Sequence, residues 1–154
     1  MPNIRLLCVG KLKEKYLVMA QDEYAKRLSA FCRLEIIEKK EAALPANPSA
    51  ALVEKACAEE SQALLSAVRG ALVALSPEGE RVTSPEFAAL VKQYENDLSF
   101  AIGGSYGLSP ALKSRAVRVV SFSDLTMPHQ LFRIVLLEQI YRAFMINSGR
   151  TYHK

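Results

Sequence analysis

The fold of this chain is decided by two stretches, Ile102–Pro110, which is IGGSYGLSP, and Phe122–His129, which is FSDLTMPH. Each follows a short apolar segment of the kind that forms a buried strand. A glycine pair at a strand end lets the backbone turn and lets a ligand approach where a Cβ atom would block it. For an isolated pair such as Gly103-Gly104 a tight turn is the simpler explanation. Two such loops in one small domain predict a single ligand pocket.

Outward from these loops, apolar segments of strand length alternate with segments of helical periodicity. Such alternation predicts an α/β fold, a parallel sheet with helices on both faces, in one domain over residues 1–154. We expect the segment 39–48, with two prolines, to be an exposed loop. The predicted elements are strands at 4–10, 34–38, 71–75, 98–102 and 116–122, and helices at 11–31, 49–68, 84–96 and 128–147, with Ser49 and Ser84 as caps and a strand break at 76–79.

Composition places the chain among ordinary globular proteins, with 50% hydrophobic and 23% charged residues. The net charge of +4 permits a polyanionic partner without requiring one. No apolar run approaches the roughly 20 residues of a membrane span, and the N-terminus lacks a signal-peptide pattern. We therefore expect a cytoplasmic protein with no membrane partner.

Metal and disulfide chemistry are not expected. The three cysteines, Cys8, Cys32 and Cys57, are odd in number, lie in apolar or helical segments and lack CxxC spacing, which predicts buried, reduced thiols. The only histidines are His129 and His153, too few for a histidine-rich zinc site.

Ligands of parallel sheets bind beyond the carboxyl ends of the strands, where three loops are predicted to meet, at 75–79, 103–108 and 122–127. The GGxxG spacing is not a dinucleotide fingerprint, and the GxxxxGK[ST] phosphate loop is absent. Instead, the 122–127 loop could offer backbone groups to an adenine edge while Leu75, Leu125 and Met127 enclose the ring.

Near the C-terminus, three features each have two interpretations. His129 either caps or packs at a helix start, or titrates in a pocket. Glu138 and Arg142, spaced i and i+4, form either an ordinary helical ion pair or charges that border a site. The tail Arg150–Lys154 is either a frayed terminus or an RNA-contacting arm, because arginine and lysine bind phosphates while tyrosine and histidine stack on bases.

The last helix carries apolar residues around much of its surface, among them Leu131, Ile134 and Leu137. That is more apolar surface than one face of a sheet covers. The alternatives are a central core helix and a helix buried both on the sheet and in a homodimer interface. The second is our prediction.

Taken together, these motifs resemble the ribosomal large-subunit methyltransferase H family, within the SPOUT class of methyltransferases. The similarity covers essentially the whole chain and is densest where IGGSYGLSP, SFSDLTMPHQLFRIVLLEQIYRAF and the closing YHK occur in the family's order. It implies a C-terminal trefoil knot that forms a pocket for S-adenosylmethionine, and a homodimer. The implied reaction is methyl transfer to N3 of a pseudouridine in 23S rRNA, on the ribosome.

The resemblance also assigns residues. It implies that the cofactor contacts Leu75, Gly103 with Gly104 beside it, and the loop of Phe122, Ser123, Asp124, Leu125, Thr126 and Met127. Arg142, Tyr152 and His153 match positions that hold or activate the nucleotide. Lys154 departs from the arginine of some relatives, which weakens the case for a bidentate phosphate contact there.

The attack of N3 on a sulfonium methyl requires loss of the N3 proton. Imidazole takes up a proton near neutral pH, so we predict that His153 or a neighbouring group accepts it while Arg142 stabilises the negative charge on the base. The rival prediction is a non-catalytic RNA-binding module of the same fold. A related methyltransferase acting on tRNA is less suitable, since the chain has no room for an additional RNA-binding domain.

Overall fold

Five strands and five helices make up the fold in the computed structural model, which describes residues 1–154. Their bounds are β1 (Asn3–Val9), α1 (Lys15–Leu28), β2 (Arg33–Lys39), α2 (Ala50–Ser66), β3 (Ala71–Arg81), α3 (Ser84–Tyr94), β4 (Leu98–Ile102), α4 (Pro110–Arg115), β5 (Arg118–Ser121) and α5 (His129–Asn147).

The strands form one parallel sheet in the order β2-β1-β4-β3-β5. The registers align the strand ends: Ile4 and Ala71 both pair with Leu98, and Leu75 pairs with Ile102. All five carboxyl ends therefore lie at one edge of the sheet. This confirms the predicted α/β class.

Two layers of helices cover the sheet, because side chains alternate between its faces. On one face Leu6 and Phe100 belong to the larger core cluster with residues of α1, α3 and α5. On the other, Leu7 and Ala101 pack with Leu64 of α2 and Leu112 of α4. Helices on both faces explain why the central strands are apolar throughout.

The third strand is longer than predicted, since the expected break at 76–79 lies inside β3. Val120 of β5 pairs with both Leu75 and Glu80, so the intervening residues form an irregularity against a single partner residue. A Cβ atom on Gly79 would lie 2.7 Å from the backbone of Val120, so glycine permits the close strand approach. The turn residues thus bend the strand without ending it.

Other boundaries also differ from the predictions. Thr83, rather than Ser84, caps α3, because its hydroxyl accepts from the Glu86 N–H in a capping box. Helix α4 was missed, although Ser109 caps it and Pro110 occupies its first position. Helix α1 begins at Lys15 rather than Lys11.

The cysteines are all free, but only two of them are buried. Burial raises the pKa of Cys8 to about 11 and that of Cys32 to about 12. Cys57 is half-buried, and its thiol lies 3.4 Å from the carbonyl oxygen of Gly107. None of the helices combines the length and the apolar character that crossing a membrane requires.

Arg133 links helix α5 to the sheet and is only 1% exposed. Its guanidinium donates to the Glu38 carboxylate at 2.6 Å, to the Gly10 carbonyl at 3.1 Å and to the Gln21 amide oxygen at 3.1 Å. These acceptors come from β2, the end of β1 and α1. The N-terminal half of α5 is therefore held at the carboxyl edge of the sheet.

Candidate active site

A cavity of about 230 Å³ opens where β3, β4 and β5 end and α5 begins. All three predicted loops contribute to it, as does the first turn of α5. The lining residues are Leu75, Ser76, Pro77, Ile102, Gly104, Ser105, Gly107, Val120, Ser121, Phe122, Ser123, Leu125, Thr126, Met127, His129 and Phe132. The three loops that the sequence predicts to meet therefore line one cavity, and its role as a ligand pocket stays a prediction.

The glycine loop, residues 103–108, is both a tight turn and a wall of this cavity. A Cβ atom on Gly103 would lie 2.4 Å from the carbonyl carbon of Gly107, so the two backbone segments approach too closely for any side chain. Gly107 has a φ of +79° and donates its N–H to the Gly104 carbonyl at 3.1 Å. Gly103 lies behind the wall, while Gly104 and Gly107 face the cavity.

The 122–127 loop forms the opposite wall. The Phe122 ring packs edge-on against Phe87, with ring centroids 5.0 Å apart, and at a tilt against Phe132, with centroids 5.4 Å apart. These two contacts anchor the start of the loop. Ser123 orders the next residues, because its hydroxyl accepts from the Leu125 N–H at 2.9 Å. Leu125 itself is 76% exposed and stands at the rim.

One predicted pocket residue points elsewhere. Asp124 is absent from the cavity lining and pairs with Arg81 at the end of β3. This ion pair holds the 122–127 loop against the end of β3, in the part of the strand that extends beyond its predicted end. Conversely, Phe132 lines the cavity although it was not among the predicted pocket residues. It lies one turn after His129 in α5, and this spacing places the two side chains on the same face of the helix.

The cavity combines apolar walls with small hydroxyl groups, and no lysine or arginine lines it. Phosphate-binding sites use cationic side chains, so this lining suits an uncharged ring system or a cationic ligand better than a nucleotide phosphate. No group of three or more His, Cys, Asp or Glu side chains is placed to hold a metal ion.

His129 is the first residue of α5 and faces the cavity. The residue before it, Pro128, forms no side-chain cap, and burial lowers the pKa of His129. The imidazole is therefore a neutral group at pH 7 that packs in the wall of the cavity at the start of the helix.

A second group of functional side chains, the tail cluster, consists of Glu138, Arg142, Tyr152 and His153. The Arg142 guanidinium donates to both carboxylate oxygens of Glu138, at 3.2 and 2.9 Å. The Tyr152 hydroxyl donates to the same carboxylate at 2.6 Å, and its ring packs edge-on against Tyr141. The structure confirms the helical ion pair of Glu138 and Arg142, which also orders the tail, and whether these charges border a site stays a prediction.

This geometry sets the protonation of two tail residues. The hydrogen bond to Glu138 raises the pKa of Tyr152 to about 12, so its phenol stays protonated. Arg142 lies 3.1 Å from Nδ1 of His153. Because a guanidinium only donates, Nδ1 is the acceptor and a neutral His153 carries its proton on Nε2.

The cavity and the tail cluster occupy different ends of α5. Arg142 lies thirteen positions after His129, which is about 20 Å along a helix with a rise of 1.5 Å per residue. The structure therefore brings together the predicted cofactor residues other than Gly103 and Asp124, and separately the three predicted catalytic residues. It does not join the two groups within one chain.

Comparison with known proteins agrees with this architecture. The family described as "Predicted SPOUT methyltransferase" matches residues 2–153. The chain belongs to the SPOUT methyltransferases. Ribosomal RNA large subunit methyltransferase H of Oenococcus oeni is 46% identical over 160 residues, covering 100% of both chains. The protein of that name from Lactiplantibacillus plantarum is 46% identical over 158 residues, covering 99% of both.

A solved structure shares the fold. It is described as the structure of a probable methylase family protein from Haemophilus influenzae, and it superposes with a TM-score of 0.56 at 12% identity. The match covers 98% of this chain and 70% of that one. At this identity the likeness concerns the fold alone.

A titration tests the role of Glu138 in this SPOUT methyltransferase. In Glu138→Gln the carboxylate charge is lost, so the pKa of Tyr152 should fall from about 12 toward its usual value of 10.0. Tyrosine-selective ¹³C NMR, with the signal assigned in Tyr152→Phe, measures it. Stability from this contact should be present below pH 10 and lost as the pH rises to 12.

Glu54→Gln, an exposed change on α2, is the control and should leave the titration of Tyr152 unchanged. An unaltered Tyr152 titration in Glu138→Gln would show that the carboxylate does not hold the phenol.

Proposed function

We propose that this chain transfers a methyl group from S-adenosylmethionine to N3 of a pseudouridine in the 23S rRNA of the ribosome, acting in the cytoplasm as a homodimer. The observation that carries the proposal is the cavity between the glycine loop and the 122–127 loop. It occurs in a chain that is 46% identical, end to end, to proteins named ribosomal RNA large subunit methyltransferase H.

The residues of the cavity fit this cofactor. Its adenine would lie between apolar side chains that include Leu75 and Met127, with backbone groups of the 122–127 loop available to the ring edge. The absence of cationic side chains from the lining suits a positively charged sulfonium that carries no phosphate. The chemistry supplied by the bound cofactor is an electrophilic methyl group.

The separation along α5 supports a homodimer in which the tail cluster of one subunit completes the pocket of the other. A pocket of about 230 Å³ is smaller than the roughly 300–1,000 Å³ of most ligand sites, which leaves room for a partner to contribute walls. Large apolar side chains also remain exposed on α1, in the 122–127 loop and in the first turn of α5, namely Tyr16, Met19, Leu125 and Leu131. Exposed apolar side chains of this size are commonly buried in subunit interfaces.

The trefoil knot stays a prediction of the family resemblance. Its support is the shared fold of a methylase structure and the position of the pocket at the C-terminal loops.

In the proposed mechanism, Arg142 binds the target base and stabilises the negative charge that develops when N3 loses its proton. Glu138 fixes the guanidinium through two hydrogen bonds, which reduces the entropy lost on binding. Tyr152 stays protonated and acts as a hydrogen-bond donor rather than a base.

The proton acceptor is His153. In the resting cluster its Nδ1 accepts from Arg142, so it takes the N3 proton once the guanidinium, already bound to the base, releases the imidazole. Proton transfer of this kind contributes about 10²–10⁴-fold to rate.

The rival function, a non-catalytic RNA-binding module, needs no pocket for a cofactor. The glycine loop that lines the cavity and the ordered 122–127 loop favour the enzyme. Calorimetry with S-adenosylmethionine separates the two functions, because a pure RNA binder has no affinity for the cofactor.

The first prediction from the proposed function concerns the glycine loop. Gly103→Ala forces a Cβ atom into the Gly107 backbone, so the loop must open and affinity for S-adenosylmethionine should fall about tenfold or more. A strain lacking the gene should lose one methyl group from a pseudouridine of 23S rRNA. Mass spectrometry of the rRNA should find the methyl group restored by the wild-type gene and not by Gly103→Ala.

Gly70→Ala is the matched control, since it creates a similar backbone clash, with Asp97, at the far edge of the sheet. It should lose stability and keep cofactor affinity. Leu125→Ser, at the exposed rim, should weaken cofactor binding without unfolding the chain. An rRNA spectrum identical in the deletion strain and its parent would reject the proposed target.

A second prediction isolates His153. His153→Ala should slow single-turnover methylation by about 10²-fold or more while leaving cofactor affinity unchanged. Rapid quenching at saturating cofactor measures the step. A full rate in this variant would mean that another group takes the proton.

A third prediction tests the shared site. Gly103→Ala and Arg142→Ala should each be inactive as homodimers, for different reasons. After unfolding and refolding together, heterodimers should combine an intact pocket of one chain with an intact tail cluster of the other. About a quarter of the wild-type activity should return, because half of the dimers then carry one complete site.

The control mixture is Arg142→Ala with Tyr152→Phe, which alters the tail cluster in both chains and should restore little. If each subunit used its own tail, the first mixture would stay as inactive as its parents.

A further inference from the structure

Five lysines gather where β1 and β2 end, at the same edge of the sheet as the cavity. Lys11, Lys13 and Lys15 follow β1, and Lys39 and Lys40 end β2. The two strand ends are joined, since Val9 pairs with Lys39 and the Gly10 N–H donates to the Lys39 carbonyl at 2.7 Å. We call this group the lysine edge.

None of the five ammonium groups forms an ion pair, although the chain pairs many of its other cations. The other side of the cavity shows the contrast. There three cations of β3, α4 and β5 are neutralised in the pairs Lys113–Glu78, Arg118–Glu80 and Arg81–Asp124, and only Arg115 at the end of α4 is in no ion pair. Most of the unpaired positive charge beside the pocket therefore lies on the lysine edge.

The carboxylates nearby do not remove this charge. Glu38 of β2 is engaged by the buried Arg133. Glu14 and Glu41 are exposed and lie in the same segments. Glu60 of α2 accepts from the Ala42 N–H at 2.9 Å and forms no ion pair, which leaves five lysines against three free carboxylates. An excess of unpaired ammonium groups at a surface attracts polyanions.

The lysine edge is fixed to the rim of the cavity. The Lys13 N–H donates to the side chain of Gln130 at 2.9 Å, and Gln130 follows the pocket residue His129. Arg133 holds the Gly10 carbonyl just before the lysines. The ammonium groups therefore stand on a backbone that is positioned relative to the pocket.

We propose that the lysine edge binds the sugar–phosphate backbone of the RNA that carries the target nucleotide, on the β1–β2 side of the pocket. This inference rests on the proposed function. Lysine is a point charge that contacts phosphate without reading bases, so the surface sets the path and register of the RNA strand. The cavity lining has no cation, so the charge that binds RNA lies beside the reaction site rather than within it.

The test uses the full-length protein with intact ribosomes that lack the modification. Lys11→Gln/Lys13→Gln/Lys15→Gln removes three charges from the lysine edge and keeps the backbone contact of Lys13. The control, Lys26→Gln/Lys55→Gln/Lys92→Gln, removes three exposed, unpaired charges from α1, α2 and α3 away from that edge. Ribosome binding is measured by filtration over a series of salt concentrations. Methyl transfer is followed with labelled S-adenosylmethionine, and cofactor affinity is measured by calorimetry.

The lysine-edge variant should bind ribosomes about tenfold or more weakly, and its plot of log K against log salt should be shallower by about 2–3 than that of the wild type. Its cofactor affinity should be unchanged, and the rate at saturating ribosome should recover. The control should behave as the wild type in binding, slope and transfer.

If the two triple variants bound ribosomes equally well and with equal salt slopes, the lysine-edge proposal would be overturned. Methyl transfer by the wild type would still support the proposed function in that case. If the wild type transferred no methyl group, the proposed function would fail. The salt series would still decide whether this surface holds RNA, since a slope unaffected by the lysine substitutions excludes it.

Discussion

The buried Arg133 is the interaction on which both functional regions depend. A guanidinium removed from water is costly unless its donors are satisfied, and here three acceptors from β2, the β1 end and α1 receive them. That requirement fixes α5 at one place along the sheet edge. From there its first turn forms a wall of the cavity and its last turns carry the tail cluster.

The cavity itself follows from strand register and backbone proximity. Parallel pairing brings three carboxyl ends together, and glycine at position 103 lets the chain return within contact of residue 107. The irregularity of β3 adds Ser76 and Pro77 to the wall and extends the strand to Arg81, which holds Asp124. The pocket is thus built mainly by the loops at the carboxyl ends of the strands, the region where parallel sheets bind their ligands.

Much of this architecture could be predicted from local sequence patterns. Apolar runs and helical periodicity locate nine of the ten elements, and the loop composition identifies the pocket walls. Helix α4 was missed because six residues are too few to show a period. The continuation of β3 was missed because Pro77 and Gly79 are turn residues locally, and only the partner strand makes them a bulge.

The role of each site residue was harder to predict, because it depends on partners that are distant in sequence. The family resemblance placed Asp124 in the pocket, yet the side chain is drawn away by Arg81, an ion pair that exists only because β3 is long. Likewise, motif order along the chain gives no sign that Arg142 lies about 20 Å along α5 from the pocket residue His129. The rise of the α-helix sets that distance, and for this reason our proposed function unites the two regions through a second subunit.

The tail cluster shows how recognition can be added to a network that is already satisfied. Arg142 spends three of its five N–H groups, two on Glu138 and one on His153. About two donors therefore remain for a base carbonyl without any loss of the contacts that fix the guanidinium. In the mechanism that we propose, the His153 contact breaks only for proton transfer and not for binding of the base. The proposed sequence is that the arginine holds the base first and releases the imidazole afterwards, which orders recognition before chemistry.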